Sequence, residues 1–209
     1  SVLAGAAVFF VVGTWGGEIA TVVRDAVFTA VSLVTTTGYA TADFGQWAAA
    51  LQIAAVGLMF VGGMAGSTAG SVKVYRLGVL TTASRADLRR LIHPQGIFVA
   101  RLGRDPVRRE IVDAVQSFFL LYMFLFMTGT LLLGVFESGL GGSLDLVGSA
   151  SAAASAIGNI GPGLGEVGPA ANYFGVAAPG KWLLSGLMIV GRLEIFPVLL
   201  LFTRELWRR

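Results

Sequence analysis

Two glycine-centred runs interrupt this very apolar chain, and their chemistry lies in the backbone rather than in side chains. Residues 35–41 read TTTGYAT and residues 158–169 read GNIGPGLGEVGP. Each run follows an apolar segment, 25–34 or 146–157, that is too short to cross a bilayer. Glycine lets an extended backbone turn successive carbonyl oxygens inward, where they can replace the hydration shell of a cation. A helix that ends beside them adds the negative end of its dipole, so the pattern predicts a cation path.

The candidate ligands in the first run are the backbone carbonyls of Thr36, Thr37, Gly38 and Tyr39. The five residues from Thr36 share three positions with the TVGYG filter of potassium channels. Superposing Gly38 on Gly158, an offset of 120 residues, also aligns Asp25 with Asp145. In this register the candidate ligands of the second run are the backbone carbonyls of Ala156, Ile157, Gly158 and Asn159. On this interpretation the transported cation binds only to carbonyl oxygens and no cofactor is required, whereas ordinary glycine-rich loops remain the alternative.

The composition favours a membrane protein. Of the 209 residues, 55% are hydrophobic and only 13% are charged, with a mean hydropathy of +0.77; a soluble domain carries about 25% charged residues. The absence of cysteine excludes disulfides and thiolate metal sites. The one histidine, His93, lies in a basic polar stretch, and Asp25 and Asp145 sit at predicted helix starts, where capping is the common role. An intramembrane hydrolase is therefore disfavoured, and we predict that the chain is not an enzyme.

The apolar segments predict an all-α membrane protein of two tandem repeats, each a span, a short pore helix, a filter loop and a second span. Full spans are predicted at 111–136 and 182–203, and residues 2–13 resemble the outer half of a helix whose start is missing. The four tryptophans, at 15, 47, 182 and 207, fall at predicted span ends. The predicted units are a truncated pore repeat (1–75), a basic cytoplasmic connection (76–110) and a second pore repeat (111–209).

Positive charge is concentrated in two blocks. Nine of the 15 Lys and Arg residues lie between Lys73 and Arg109, and three lie in the tail Arg204–Arg209. Such blocks beside apolar spans mark the cytoplasmic side. We therefore predict that 73–109 and the C-terminus are inside, and that four acidic residues are outside: Glu18, Asp43, Glu137 and Glu166. Nucleic-acid binding is disfavoured because the basic stretch has few aromatic side chains and is bracketed by spans.

In the first repeat, the second span is predicted to open at Trp47, and the run GGMAGSTAGS at 62–71 interrupts it. Glycine in a helix interior costs about 1 kcal/mol relative to alanine, and this run has four of them. Two interpretations remain open: close packing of helices through small residues spaced by four, or an unwound gate. The candidate gating residues are Gly62, Gly63, Gly66, Ser67, Thr68, Gly70, Lys73 and Arg192.

Arg192 lies in the last predicted span, roughly 16 Å deep at about 1.5 Å per residue. A charge at that depth costs about 2.5–3.5 kcal/mol on insertion scales, so its side chain should face protein or water. It could weaken ion binding below the filter or brace the 62–71 segment. The alternative is a buried structural ion pair, although Glu194, two residues further on, is predicted to point elsewhere.

Five stretches resemble the Trk/Ktr/HKT family of potassium transporters, and within it the bacterial TrkH-type membrane subunit. They are TTTGYATADFG, GGMAGSTAGSVKVYR, RRLIHPQGIFVARLG, SAIGNIGPGLG and GRLEIFPVLLLF, spread over nearly all of the chain. That subunit has four repeats around one pore, and the chain resembles the third and fourth. The resemblance implies that 62–71 is an intramembrane loop that gates the path below the filter, with Arg192 projecting toward the pore. Either the chain is truncated or two copies complete the ring.

The resemblance implies potassium uptake through a channel-like filter in the bacterial inner membrane. It also implies a homodimer and a cytosolic nucleotide-binding regulatory subunit of the TrkA type. The basic segment 73–109 and the arginine tail could meet that subunit or anionic membrane lipid. Two alternatives stay open: a sodium-permeable transporter of the same family, and a non-conducting assembly subunit or fragment.

Overall fold

The computed structural model describes residues 19–96, 98–103, 105–201, 203 and 207. The predicted partial span at 2–13, Trp15, Glu18 and the arginines of the C-terminal tail lie outside the described residues. The described part is mostly helical. Its helices are α1 (Ile19–Val34), α2 (Ala49–Met59), α3 (Val74–Ile92), α4 (Arg109–Leu140), α5 (Leu146–Gly158), α6 (Ala178–Arg192) and α7 (Phe196–Leu201).

Strand structure in the described part is confined to two short pairs. Strand β1 (Val61–Gly62) runs parallel to β2 (Val72–Lys73), and β3 (Arg101–Leu102) runs antiparallel to β4 (Asp105–Pro106). Short 3-10 turns lie at Phe44–Gln46, Gly165–Val167 and Tyr173–Gly175. The β1–β2 pair interrupts the second predicted span of the first repeat, as the run of glycines at 62–71 suggested.

Helix α4 is long and apolar enough to cross a membrane, and among the described residues it alone passes that test of length and composition. No charged residue lies between Asp113 and Glu137. One face carries exposed apolar side chains at spacings of three and four residues, which form a stripe along the helix: Leu120, Phe124, Met127, Leu131 and Val135. Such a stripe faces lipid or another apolar surface.

Helix α5 lies at the centre of the fold. Asp145 caps its start by accepting the amide of Gly148 at 2.6 Å. Every residue from Ser151 to Gly158 is buried. Its alanine and serine side chains are small, so α4 and α6 pack closely against it, and α2 also contacts it. The predicted short helix at 146–157 is thus confirmed as a helix enclosed by its neighbours.

The first pore helix is longer than predicted. The short helix was predicted at 25–34, but α1 already begins at Ile19. Asp25 therefore lies inside α1 and not at its start. Its carboxylate accepts hydrogen bonds from Arg24 and Thr41 rather than from the first turn of a helix. The expected capping role is wrong for Asp25 and confirmed for Asp145.

The predicted continuous span at 182–203 is wrong, because the chain breaks between α6 and α7. Glu194 and Ile195 both have left-handed backbone conformations, with φ of 59° and 57°. A β-branched residue rarely adopts such a conformation. The break directs Glu194 toward two cations at the start of α3 and buries Ile195 beside Phe118 and Tyr122. The basic segment 76–110 contains regular structure, since α3 occupies its first half, as far as Ile92, and packs on α4.

Candidate cation path

The first candidate filter stretch begins where α1 ends. The amide of Thr36 donates to Leu33 O at 3.2 Å, and that of Thr37 donates to Ser32 O at 2.9 Å. Thr36 has a left-handed conformation, with φ of 56°, which turns the chain back along the helix end. Thr37 to Ala40 then continue without regular structure. In the described part of the chain, the carbonyls of Thr36, Thr37 and Gly38 accept no hydrogen bond.

The second stretch repeats this turn after α5. The amide of Asn159 donates to Ala156 O at 3.1 Å, and that of Ile160 donates to Ser155 O at 3.0 Å. Asn159 is left-handed, with φ of 55°. The carbonyls of Asn159 and Ile160 accept no hydrogen bond from any described residue. Each repeat therefore presents bare carbonyls directly after a pore helix.

These paired hydrogen bonds correct the register between the repeats. Thr36 matches Asn159 and Thr37 matches Ile160, an offset of 123 residues rather than 120. The counterpart of Gly38 is Gly161, which also has a positive φ, of 120°. Gly158 is the last residue of α5, and Ala156 and Ile157 precede it in the same helix. The prediction that these three residues form the filter loop is therefore wrong, because their backbone is helical.

Beyond the filter stretches the offset grows to 129 residues. Asp43 accepts the amide of Gly45, and Asn172 accepts the amide of Phe174. Further along, Gln52 donates to Gly45 O and Lys181 donates to Phe174 O. The second repeat thus contains six extra residues between its filter stretch and its second helix. Two unlike side chains, an amide and an ammonium, serve the same connection, which explains why sequence identity did not reveal the register.

The two stretches lie against each other. Gly38 has a φ of 80°, and a Cβ added there would lie 2.0 Å from Ile160 O, so that only glycine fits. Residues of both stretches line one open mouth, which includes Tyr39, Gly161 and Pro162. The hydroxyl of Tyr173 donates to Gly161 O at 2.7 Å. Burial raises the pKa of Tyr173, so this hydroxyl remains a hydrogen-bond donor.

Residues 63–71 form a loop between β1 and β2, which we call the inter-strand loop. Its exit touches both pore-helix ends: Gly70 N donates to Thr36 Oγ1 at 3.2 Å, and a Cβ at Gly70 would lie 2.1 Å from Gly158 O. The Ser71 hydroxyl donates to Met59 O at 2.6 Å. Residues 64–68, at the tip, are exposed. The predicted unwinding at 62–71 is confirmed, and the helix-packing alternative is wrong.

Two charged residues beside the α6–α7 break bond to this loop and to the residues that follow it. Arg192 donates to Thr68 O at the tip. Glu194 accepts from Lys73 in β2 at 2.5 Å and from Arg76 in the first turn of α3 at 2.7 Å. Arg192 therefore braces the loop, which was one of the predicted alternatives, and it is not part of the ion pair. Lys73, predicted as a gating residue, is tied to Glu194.

Comparison with known proteins identifies the family. The family model described as TrkH, cation transport protein, matches residues 17–208. This chain belongs to the TrkH family. The resemblance inferred from the five sequence stretches is thereby confirmed, and the proteins that this chain resembles are transporters rather than enzymes.

Individual TrkH-family relatives are similar over most of the chain. The Trk system potassium uptake protein TrkI of Halomonas elongata is 44% identical over 183 residues, which are 87% of this chain and 36% of that protein. The potassium uptake protein TrkH of Vibrio parahaemolyticus is 39% identical over 184 residues, or 88% of this chain and 36% of that protein. The crystal structure of the potassium transporter TrkH from Vibrio parahaemolyticus matches with a TM-score of 0.87 and 34% identity, covering 99% of this chain and 43% of that one. The chain thus spans little more than a third of the length of these curated relatives.

Sequence reasoning missed several residues of this TrkH-family site. Arg76 pairs with Glu194 and lies 3.9 Å from the centre of the Phe118 ring. Glu137 is 2% exposed, and its carboxylate accepts the amides of Leu144 and Ala177, which joins α4 to the start of α6. For Glu137 and Glu194, the available signal was an acidic residue between two apolar runs. No sequence signal marked Ser32, Ser155 and Tyr173, whose hydroxyls bond to the filter stretches.

Proposed function

We propose that this chain contributes two adjacent repeats to a potassium uptake path across the membrane. In each repeat, bare backbone carbonyls replace water around the dehydrated ion. The observation that carries the proposal is the side-by-side approach of the two stretches at Gly38 and Ile160. The carbonyls that we assign to the ion are those of Thr36, Thr37, Gly38, Asn159 and Ile160. The relatives' names, Trk system potassium uptake proteins, support potassium as the ion.

The inter-strand loop is the proposed gate of this path. It lies against the inner ends of both pore helices, where an ion leaving the filter stretches must pass. Among the described residues outside the loop, Arg192 alone is hydrogen-bonded to its exposed tip, so the tip can move while β1 and β2 remain paired. The guanidinium places a positive charge beside the path, which would keep a cation from binding too tightly below the filter.

The finer assignments of membrane, sidedness and partners belong to the same proposal. The chain lies in a bacterial inner membrane, with 73–109 and the C-terminus in the cytoplasm, because positive blocks stay inside. Two filter stretches form half of a four-stretch ring, so a complete path needs two further repeats. By family resemblance we add a homodimer, a cytosolic nucleotide-binding regulatory subunit and lipid contacts along α4.

The test uses cells that lack their own potassium uptake systems. They express this chain alone or a chimera in which residues 17–208 replace the matching region of TrkH from Vibrio parahaemolyticus. We expect the chimera to restore growth at low potassium and to carry potassium in preference to sodium in vesicles. Equal transport of both ions would favour the sodium-permeable alternative. A folded, membrane-inserted chimera that carries no ion would favour the non-conducting alternative.

A further inference from the structure

Ser32 and Ser155 occupy equivalent places near the ends of the two pore helices. They are 123 residues apart, the same offset that relates the two filter stretches. Both side chains are buried, at 5% and 0% exposure. Neither is a helix cap, since each lies in the last turns of its helix, where a serine hydroxyl usually bonds back within the helix.

Each serine instead bonds to the filter stretch at two points. The backbone carbonyls of Ser32 and Ser155 accept the amides of Thr37 and Ile160. The hydroxyl of Ser32 donates to Tyr39 O at 2.6 Å, and that of Ser155 accepts from Gly161 N at 2.9 Å. One residue therefore holds both the beginning and the later part of each stretch, with opposite hydrogen-bond polarity in the two repeats.

These bonds determine which carbonyls remain free. Ser32 engages the carbonyl of Tyr39, so the free carbonyls of the first stretch end at Gly38. Ser155 and Tyr173 engage the amide and the carbonyl of Gly161, so the free carbonyls of the second stretch end at Ile160. A carbonyl that is already hydrogen-bonded can turn to an ion only by losing that bond.

We propose that Ser32 and Ser155 are a matched pair of positioning residues that fix the spacing of the filter carbonyls and thereby favour potassium over sodium. This inference rests on the proposed function of the two stretches. Discrimination between ions of different size depends on the geometry and the number of the carbonyls presented. A loosened stretch would contract around the smaller ion.

The chain supplies matched controls on the same two helices. Thr29 on α1 and Ser149 on α5 carry buried hydroxyl oxygens with no hydrogen-bond partner among the described residues. Removing these hydroxyls changes a buried polar group without touching a filter stretch. The comparison therefore separates the loss of a buried hydroxyl from the loss of the bond that the hydroxyl makes.

The experiment measures the ratio of potassium to sodium flux in vesicles with the chimera described above. Ser32→Ala and Ser155→Ala should each lower the ratio about fivefold, the equivalent of one ordinary hydrogen bond. Thr29→Val and Ser149→Ala should leave it unchanged. Should the serine variants fail to fold, Tyr173→Phe removes the other bond to Gly161 without altering a helix, and it should lower the ratio in the same way.

An unchanged ratio in both serine variants would overturn the proposal, as would an equal loss in the control variants. Gly38→Ser distinguishes this failure from failure of the proposed function. If Gly38→Ser lowers the ratio and the serine variants do not, only the positioning role is wrong. If the unmodified chimera is folded and carries no potassium, the proposed function itself is wrong.

Discussion

At the scale of single residues, the charges beneath the filter stretches differ in what they hold. Glu194 pairs with two cations, Lys73 and Arg76, whose side chains are 15% and 20% exposed. Arg192 contacts a backbone carbonyl, and no described carboxylate pairs with it. Removing Arg192 therefore leaves no unpaired carboxylate, whereas removing Glu194 would leave two cations without their partner.

We expect Arg192→Ala to change ion flux while the fold is retained. The variant loses one hydrogen bond to the loop tip, so the free energy of unfolding should fall by no more than about 3 kcal/mol. A freer tip should raise the potassium flux per folded molecule. Flux and thermal unfolding are measured on the same preparation, with Arg85→Ala, an exposed arginine on α3, as the control. A large loss of stability with normal flux would instead indicate a structural role.

A second prediction at this scale concerns Gly38. A side chain there would require a strained positive φ and would collide with Ile160 O, so the two stretches must separate. We expect Gly38→Ser to reduce the preference for potassium over sodium more than it reduces expression. Gly57→Ser is the control, because a Cβ at that helical glycine meets nothing within 4 Å. Unchanged preference in Gly38→Ser would count against the pore assignment.

At the scale of elements, composition and glycine placement predicted part of the architecture. The apolar run in α4 is unambiguous, and Asp145 with a following apolar segment gives the start of α5. The glycines of 62–71 predicted the interruption of the second span because a helix there would be weak. Each of these features can be predicted from residues that are neighbours in the sequence, without knowledge of tertiary contacts.

The break between α6 and α7 and the register of the repeats could not be predicted in this way. The sequence from Gly191 to Leu201 is apolar apart from Arg192 and Glu194, and although Gly191 and Pro197 flank the break, such residues also occur in continuous or kinked membrane helices. The break exists because Glu194 reaches cations that are more than 100 residues away in the chain. The register between the repeats depends on backbone hydrogen bonds, which form equally well with different side chains. Aligning Gly38 with Gly158 and Asp25 with Asp145 therefore gave an offset that is three residues too small.

The inter-strand loop carries the prediction that belongs to this scale. Deleting residues 64–68 removes the exposed tip and the contact with Arg192, but keeps β1, β2 and the contacts of Gly70. We expect a higher potassium flux with an unchanged ratio of potassium to sodium, because the filter stretches are not altered. The measurement is ion flux in vesicles with the chimera. A lower ratio would mean that the loop shapes the filter rather than gating it.

At the scale of the whole molecule, the distribution of charge along α4 indicates how the protein lies in a membrane. Its uncharged part, from Ala114 to Phe136, is about 35 Å long at about 1.5 Å per residue, which matches a hydrocarbon core with slight tilt. Arg109, Glu110 and Asp113 lie at one end, next to α3 and its arginines. Glu137 and the connection to α5 lie at the other end. We therefore expect the two ends of α4 to face opposite sides of the membrane.

The sidedness of this arrangement is open to a direct test, because the chain contains no cysteine of its own. Asp87 on α3 and Glu166 beside the filter mouth are both exposed, so a cysteine at either position would be reachable from one side. The basic block should remain in the cytoplasm, since moving several arginines across the bilayer is unfavourable. We therefore expect a membrane-impermeant thiol reagent to label Glu166→Cys in intact cells, and to label Asp87→Cys only after the membrane is opened. Labelling of Asp87→Cys from outside would invert the topology. It would also place the inter-strand loop on the outer side of the filter, where it could not restrain an ion that has already passed the carbonyls.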